Sequence, residues 1–280
     1  MRVDVTGLTP VEQTALLTLY ARALDNRGPR PILGDTIADA VVATIDYDFD
    51  GLGVVSPVVC QSALRAKMLD DRAIHFIGAH PDAVVIDLGA GLDDCMRRVN
   101  PPSTVDWYSV DLPGVITLRD TVLRADERAH PVPASLADDS WTDAIPADRP
   151  TFLRADGLFA FLGEETVIDL FRRIPAYFSS GELAFNDYGR VGPLSRVAVK
   201  LARQKMFGDV ASLRGYLGFK DAHTPRTWSS RLTLVEEASL AHQPEVDLFP
   251  APLRVMTRIC GMVPAAARKA RILRYRFEGR

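Results

Sequence analysis

A run of apolar, mostly β-branched residues, Ala83-Val84-Val85-Ile86, ends in Asp87. After Leu88 come Gly89, Ala90 and Gly91. Strands buried on both faces of a parallel sheet read as such continuous runs. Two glycines one residue apart let the following turn approach a ligand with no side chain in the way. A second run, Val105 to Val110, ends at Asp111, which lies 22 residues after Gly89. A carboxylate there accepts both hydroxyls of a ribose, so the pair of strands suits a nucleotide-type ligand. A dinucleotide fingerprint requires a third glycine, where this chain instead runs Gly91-Leu92-Asp93-Asp94. The missing glycine, and Asp87 placed to face the amino-acid end of a ligand, favour S-adenosylmethionine over NAD.

These residues need a sheet edge to carry them, and the pattern from residue 83 onward supplies one. Strands are expected at 83–88, 105–110, 130–133, 151–156, 182–187, 231–238 and 271–277. Helices are expected between them near 92–98, 113–124, 164–176 and 252–262. Val167, Leu170, Phe171 and Ile174 form the stripe of a helix packed on a sheet. Ahead of the sheet, Thr9, Pro10 and Glu12 form a capping-box start to a first helix. A loop at 25–36, a short helix at 37–44 and a longer one at 59–79, carrying Arg65 and Asp70, follow. The organisation expected is an N-terminal helical segment (1–80), a core of 81–191 and 230–280, and a helical lid insertion at 192–229. The closing Arg271-Ile272-Leu273-Arg274-Tyr275-Arg276-Phe277 alternates basic and apolar residues, which predicts a strand with one solvated face.

Composition excludes several classes. A net charge of −3 leaves no electrostatic footprint for nucleic acid. No apolar run approaches a membrane span, and the first residues lack the apolar region of a signal peptide, so a cytoplasmic location is expected. Cys60, Cys95 and Cys260 are widely spaced and read as free thiols, with no metal-ligand spacing. The oligomeric state is not legible.

Further segments carry a resemblance. They are Leu17-Thr18-Leu19-Tyr20-Ala21-Arg22-Ala23-Leu24, Pro31-Ile32-Leu33-Gly34-Asp35 and Arg65-Ala66-Lys67-Met68-Leu69-Asp70. With them go Asp87-Leu88-Gly89-Ala90-Gly91-Leu92-Asp93, Tyr108-Ser109-Val110-Asp111-Leu112-Pro113 and Arg274-Tyr275-Arg276-Phe277. Over nearly its whole length the sequence resembles the leucine carboxyl methyltransferase family, in the bacterial branch similar to the tetracenomycin polyketide O-methyltransferase. The resemblance implies an α/β class I methyltransferase fold: a Rossmann-like, mostly parallel seven-stranded sheet with the last strand antiparallel and helices on both faces. It also implies an N-terminal helical extension, a lid, and S-adenosylmethionine as cofactor.

By the same resemblance, Arg65 pairs with the cofactor carboxylate, a contact that suits the bidentate guanidinium. Gly89, Ala90 and Gly91 lie under the methionine portion. Asp111 with Leu112 takes the ribose, and Leu136 with Ala137, or Asp138, flanks the adenine. The family's usual Glu-Gly-Leu-x-x-Tyr-Leu is here Asp156-Gly157-Leu158-Phe159-Ala160-Phe161-Leu162. Ala66 and Met68 replace a usual threonine and tyrosine. The cofactor side is thus matched more fully than the acceptor side.

Methyl transfer from a sulfonium mostly requires positioning, and a base only where a hydroxyl must lose its proton. Asp187, Tyr188 and His223 are the candidates for such a role. Tyr20, Tyr216, Phe219 and Trp228 are candidates to line a pocket for a flat, apolar small molecule. Each has a plainer alternative: Asp187 as an ion-pair partner, His223 as a solvated loop residue, the aromatics as core. The expected activity is O-methylation of a polyketide-type phenol or carboxylate. Alternatives are a binding protein of the same fold that has lost methyl transfer, an NAD-dependent oxidoreductase, and a carboxyl methyltransferase acting on a protein C-terminus.

Overall fold

A computed structural model describes residues 2–189 and 218–279. The chain begins with β1 (Val3–Asp4), α1 (Thr14–Asn26), α2 (Thr36–Thr44), β2 (Ile45–Asp46) and the long α3 (Ser56–Ala79). Then come β3 (Val84–Leu88), α4 (Cys95–Val99), β4 (Asp106–Asp111), α5 (Pro113–Val122), β5 (Ala129–Pro133), β6 (Thr151–Ala155), α6 (Glu164–Tyr177) and β7 (Ser180–Asp187). After the second described segment opens come α7 (Pro225–Trp228), β8 (Leu232–Ser239), α8 (Ala251–Met262), α9 (Pro264–Ala267) and β9 (Arg271–Glu278).

Seven strands form one sheet in the order β5-β4-β3-β6-β7-β9-β8. All neighbours are parallel except β9, which runs antiparallel to β7 and β8 on either side of it. The chain winds outward from β3 through β4 to β5, then returns to place β6 on the other side of β3. Ligands of open α/β sheets bind at the carboxyl ends of the strands beside such a switch point.

Every residue of β3 is buried, as the apolar run Val84–Ile86 predicts, with Asp87 buried along with it. Val85, Phe152, Ala184 and Ile272 pack beneath Leu64, Met68 and Phe76 of α3. On the opposite face Ile86, Leu153, Leu183 and Phe185 meet the expected α6 stripe of Val167, Leu170, Phe171 and Ile174. A third cluster joins α1 and α2 to Leu92 and Leu118 of the sheet's own connections.

Three differences from the sequence reading have physical causes. Thr9 and Glu12 do make the reciprocal capping bonds, at 2.8 and 3.4 Å, yet regular helix starts only at Thr14, after an irregular turn. The two-residue pairing of β1 with β2 was not anticipated, being too short to leave a period. The solvated face expected for 271–277 is present only in the second half of β9, where Arg274 is half-buried and Arg276 exposed, opposite the buried Leu273, Tyr275 and Phe277. Ile272 on the same face is buried, and Arg271 lies on the buried face. Arg271 is 1% exposed and bonded to Asp187 and Glu237. Arg274 bridges Glu182 and Glu236, and only Arg276 of the three arginines is exposed. No helix among the described residues is long and apolar enough to cross a membrane.

Candidate functional site

Parallel register lines up the carboxyl ends of four strands. Leu88 pairs with Val110 on one side and Ala155 on the other, and Ala155 pairs with Phe185. One residue further on, the same register brings Asp111, Gly89, Asp156 and Asn186 into a row along the edge of the sheet.

The glycine turn is held by its own backbone. Gly89 and Gly91 have φ of 66° and 52°, the left-handed region that glycine adopts without strain. A Cβ on Gly89 would lie 2.7 Å from the Leu158 side chain. The amides of Gly89 and Ala90 donate to Val110 O at 2.8 and 3.3 Å. Asp111 accepts from the Gly91 and Leu112 amides, at 2.7 Å each, so its carboxylate spans the turn and the start of α5. Burial raises the Asp111 carboxyl above the usual aspartate value, and these amides oppose that rise.

Arg65 reaches the edge from α3. Its Nε donates to Asp156 Oδ1 at 2.8 Å, and its Nη1 donates to the Tyr188 hydroxyl, whose ring lies 5.6 Å from the guanidinium carbon. Burial opposes the charge on Arg65, but Asp156 and Tyr188 outweigh it and lift the pKa above that of a free guanidinium. A cation and an anion thus stand side by side next to the glycine turn. They could hold the two ends of a zwitterion.

Asp87 requires correction. Its side chain does not face the opening but is 3% exposed on the α3 side of the sheet. There it accepts from Cys95 Sγ at 3.0 Å and lies 3.5 Å from Arg154 Nε. It belongs to a buried charge network that the sequence reading missed. Arg154 pairs with Asp70 at 2.6 Å and Asp93 at 3.3 Å. Arg98 pairs with Asp35 and Asp70, at 2.8 Å each, and with Asp93. Arg22 of α1 pairs with Asp35 at 3.0 Å and bonds Leu92 O. Burial alone would raise the Asp93 carboxyl, but Arg22 and Arg98 hold it well below the usual range. The network fastens the turn after Gly91 to α1, α3 and β6.

The acceptor-side candidates scatter. Asp187 is 3% exposed and accepts from Arg271 Nε at 2.8 Å and the Phe219 amide at 3.0 Å, so it serves as the ion-pair partner rather than as a free base. Burial raises its carboxyl and Arg271 opposes the rise. Tyr188 lines a cleft with Asn186 and Phe219, and its hydroxyl accepts from Arg65 Nη1. His223 is exposed, on a turn where its amide bonds Asp221 Oδ1. Tyr20 is not at the opening either: its hydroxyl donates to Asp50 and its ring packs on Phe49 in the N-terminal cluster. Phe219 packs against Phe171, Phe185 and Trp228, so of the three aromatics expected in a lid, these two contribute to core packing. Phe219 also lines a small cleft of about 10 Å³, room for about one water, with Gly157, Phe159, Asn186 and Tyr188. Leu136 is buried against the α6 face of the sheet and Ala137 is exposed beside it. Tyr216, and residues 192–217 of the expected lid insertion, lie outside the described residues. Asn186 was missed altogether. Its amide oxygen accepts from the Gly157 amide at 2.5 Å, a contact between residues far apart in sequence that no local pattern signals.

A sequence model of the family described as leucine carboxyl methyltransferase matches residues 15–175. The tetracenomycin polyketide synthesis O-methyltransferase TcmP of Streptomyces glaucescens is 39% identical over 179 residues, covering 64% of this chain and 66% of that protein. The chain therefore aligns with just under two thirds of that relative's length. A protein of Gibberella zeae named S-adenosyl-L-methionine-dependent methyltransferase dpfgK is 31% identical, over 66% of this chain and 68% of its own. Among solved structures, the mycolic acid cyclopropane synthase CmaA1, complexed with S-adenosylhomocysteine and CTAB, superposes with a TM-score of 0.52 at 15% identity, covering 96% of this chain and 98% of its own. That likeness concerns the fold: a class I methyltransferase sheet. The residues at the opening fit S-adenosylmethionine, the cofactor in the name of the second relative, since a buried arginine–aspartate pair, a two-glycine turn and the Asp111 carboxylate stand along one edge. The chain belongs to the leucine carboxyl methyltransferase family.

Proposed function

We propose that the protein is an S-adenosylmethionine-dependent O-methyltransferase acting on a small molecule, a polyketide-type phenol or carboxylate of secondary metabolism, in the cytoplasm. The observation that carries the reading is the Arg65–Asp156 pair, held at 2.8 Å beside the glycine turn. Its two charges are complementary to the carboxylate and ammonium of a methionine moiety. Asp111, on the far side of Gly89 and Gly91, accepts the ribose hydroxyls, and Leu136 with Ala137 borders the adenine. The acceptor in the reading comes from TcmP, whose name describes an O-methyltransferase of polyketide synthesis.

When bound, the cofactor supplies a sulfonium methyl group that leaves by in-line displacement. Arg65 and Asp156 fix the amino-acid end, so the reacting carbon is presented in one orientation. Phe159 and Phe219 supply apolar surface to the neighbouring cleft, which Asn186, Asp187 and Tyr188 also line. Asp187 is engaged by Arg271 and His223 faces solvent, so an acceptor that arrives ionised suits this chain best. Residues 1–80 pack on the core and brace the turn through Arg22. In the same reading, 192–229 forms the lid.

Calorimetry of the purified protein with S-adenosylmethionine, S-adenosylhomocysteine and NAD tests the cofactor. Transfer of a labelled methyl group to a panel of aromatic phenols and carboxylates tests the reaction. Binding of NAD, with neither adenosyl ligand bound, would sink the reading.

A further inference from the structure

Eight large apolar side chains are exposed among the described residues, and five of them fall within nine consecutive positions: Val255, Met256, Ile259, Met262 and Val263. Apolar residues exposed singly are ordinary, whereas a contiguous patch marks a contact surface. At 3.6 residues per turn, the four on α8 lie within an arc of about 120°. Each is more than half exposed, and Met262 is 82% exposed. The charged residues of α8, Arg254 and Arg258, fall outside that arc.

The other side of α8 holds it in this orientation. Leu253 is buried with Phe249 and residues of α3. A Cβ on Gly261 would stand 3.2 Å from Ala241 Cβ, so the helix backbone lies directly on the short turn at 240–242. Arg254 and Arg258 run along the flank, where they donate to Asp247 O at 3.2 Å and Ala241 O at 3.3 Å. The arginines are thus tied to the protein while the apolar side chains face out, the reverse of an ordinary surface helix.

The surroundings of this face are positive. Between Asp247 and Glu278 the sequence has no acidic residue, while Arg254, Arg258, Arg268 and Lys269 all belong to the excursion that joins β8 to β9. Asp247 pairs with Arg258 at 3.1 Å, and Glu237 lies 3.5 Å from Arg268. Arg254 has a carbonyl rather than a carboxylate as its partner. Lys269 is exposed and makes no ion pair among the described residues.

A second copy of the chain fits this face poorly. An isologous contact would set the cations against their own equivalents. It would also rest on one helix about 18 Å long, where stable interfaces use about 20–30 residues from each side. A lipid surface has neither requirement. It takes up apolar side chains without matching their shape, and anionic headgroups complement the flanking cations. The 12 residues of α8 are too few to span a bilayer, so the helix would lie in the plane of the surface.

We propose that α8 docks the protein on an anionic lipid bilayer, with Val255, Met256, Ile259 and Met262 in the headgroup boundary and Arg254 and Lys269 facing the phosphates. The excursion that carries α8 leaves and rejoins the sheet at the carboxyl end of β7, since Ser239 and Asp187 both pair with Arg271. That is the edge of the proposed cofactor site. The docking itself does not depend on the methyltransferase reading.

Flotation with two kinds of vesicle tests it: phosphatidylcholine alone, and phosphatidylcholine with an equal part of phosphatidylglycerol. The protein is expected to partition at least about tenfold more strongly onto the anionic vesicles at low salt, and to come off as salt rises toward about 0.5 M. Ile259→Glu puts a charge in the apolar arc and should abolish flotation, while Lys269→Gln should weaken it about fivefold. Both side chains are exposed, so both variants should unfold in urea as the wild type does. A wild type that does not float overturns the proposal, as does equal partition onto both kinds of vesicle or unchanged flotation of Ile259→Glu. Sedimentation velocity identifies the rival: a dimer that Ile259→Glu dissociates, in protein that does not float, gives the face to a second copy.

Discussion

Arg65 Nε donates to Asp156 Oδ1 across 2.8 Å, joining the helix ahead of the sheet to the carboxyl end of β6. Each charge stands in for the one a zwitterionic ligand would bring, so binding exchanges one ion pair for two. An arginine offers a planar fork to a carboxylate and lysine does not. Arg65→Ala should therefore weaken S-adenosylhomocysteine by about tenfold to a hundredfold, and Arg65→Lys should recover only part of the loss. Asp156→Glu restores the residue usual in the family and should bind within about threefold of wild type. Isothermal titration of the three variants decides it: unchanged affinity in Arg65→Ala removes this pair from the cofactor site.

If Asp111 takes the ribose as proposed, its carboxyl should make cofactor binding pH-dependent, and the sign follows from its environment. Burial raises its pKa above the ordinary aspartate value. The ionised form accepts ribose hydroxyls on both oxygens, and protonation converts one of them to a donor. Affinity is thus complete above the raised value and falls as pH drops through it, beginning at a higher pH than for an exposed aspartate. Asp111→Asn should bind S-adenosylhomocysteine about tenfold more weakly at neutral pH and show no such acid limb. Parallel acid limbs in wild type and variant would assign the effect to another group.

Strands buried on both faces left an unmistakable trace, which is why β3 and its neighbours were legible within a residue or two. The glycines and Asp111 were legible because turn geometry and ribose chemistry constrain residue type at fixed spacing. Asp87 was misread for the opposite reason. Its partners, Cys95 and Arg154, lie 8 and 67 residues away, and an acid before a glycine turn looks the same whether it faces a ligand or a buried arginine. Arg271 was misread because its partners Asp187 and Glu237 lie on the neighbouring strands, and an arginine in an alternating run looks the same whether it faces solvent or a buried carboxylate. Asn186 left no trace, since its meaning depends on Gly157 across the β6–β7 pairing.

The charge network under the turn should carry much of the site's rigidity. Arg98 satisfies Asp35, Asp70 and Asp93 together, and all three carboxylates are buried. Removing one partner of a buried pair strands the other's charge, at a cost of about 3–5 kcal/mol. Arg98→Ala should lose that much in urea unfolding and loosen cofactor binding as well, because Asp93 follows directly on the glycine turn. Arg276 gives the control. Its side chain is exposed and bonded to Glu182 at 3.3 Å, so Arg276→Ala should cost no more than about 1 kcal/mol. Equal losses in the two variants would mean that the network does not brace the turn.

The three thiols should separate cleanly by reactivity. The thiolate is the nucleophile toward iodoacetamide, so both exposure and pKa set the rate. Burial pushes the Cys60 thiol up to about 11, which leaves about one part in a thousand ionised at pH 8. Burial raises Cys95 well above its ordinary value too, and its Sγ–H is committed to Asp87. Cys260 is exposed on α8. Native protein at pH 8 should therefore take up one adduct, at Cys260, and urea-unfolded protein three. The Cys95 adduct is the informative one. In Arg98→Ala it should appear without denaturant, because loosening the network opens the contact between Cys95 and Asp87. Intact-mass spectrometry with peptide mapping reads all three sites. Rapid labelling of Cys95 in the folded wild type would show that the charge network is not closed in solution.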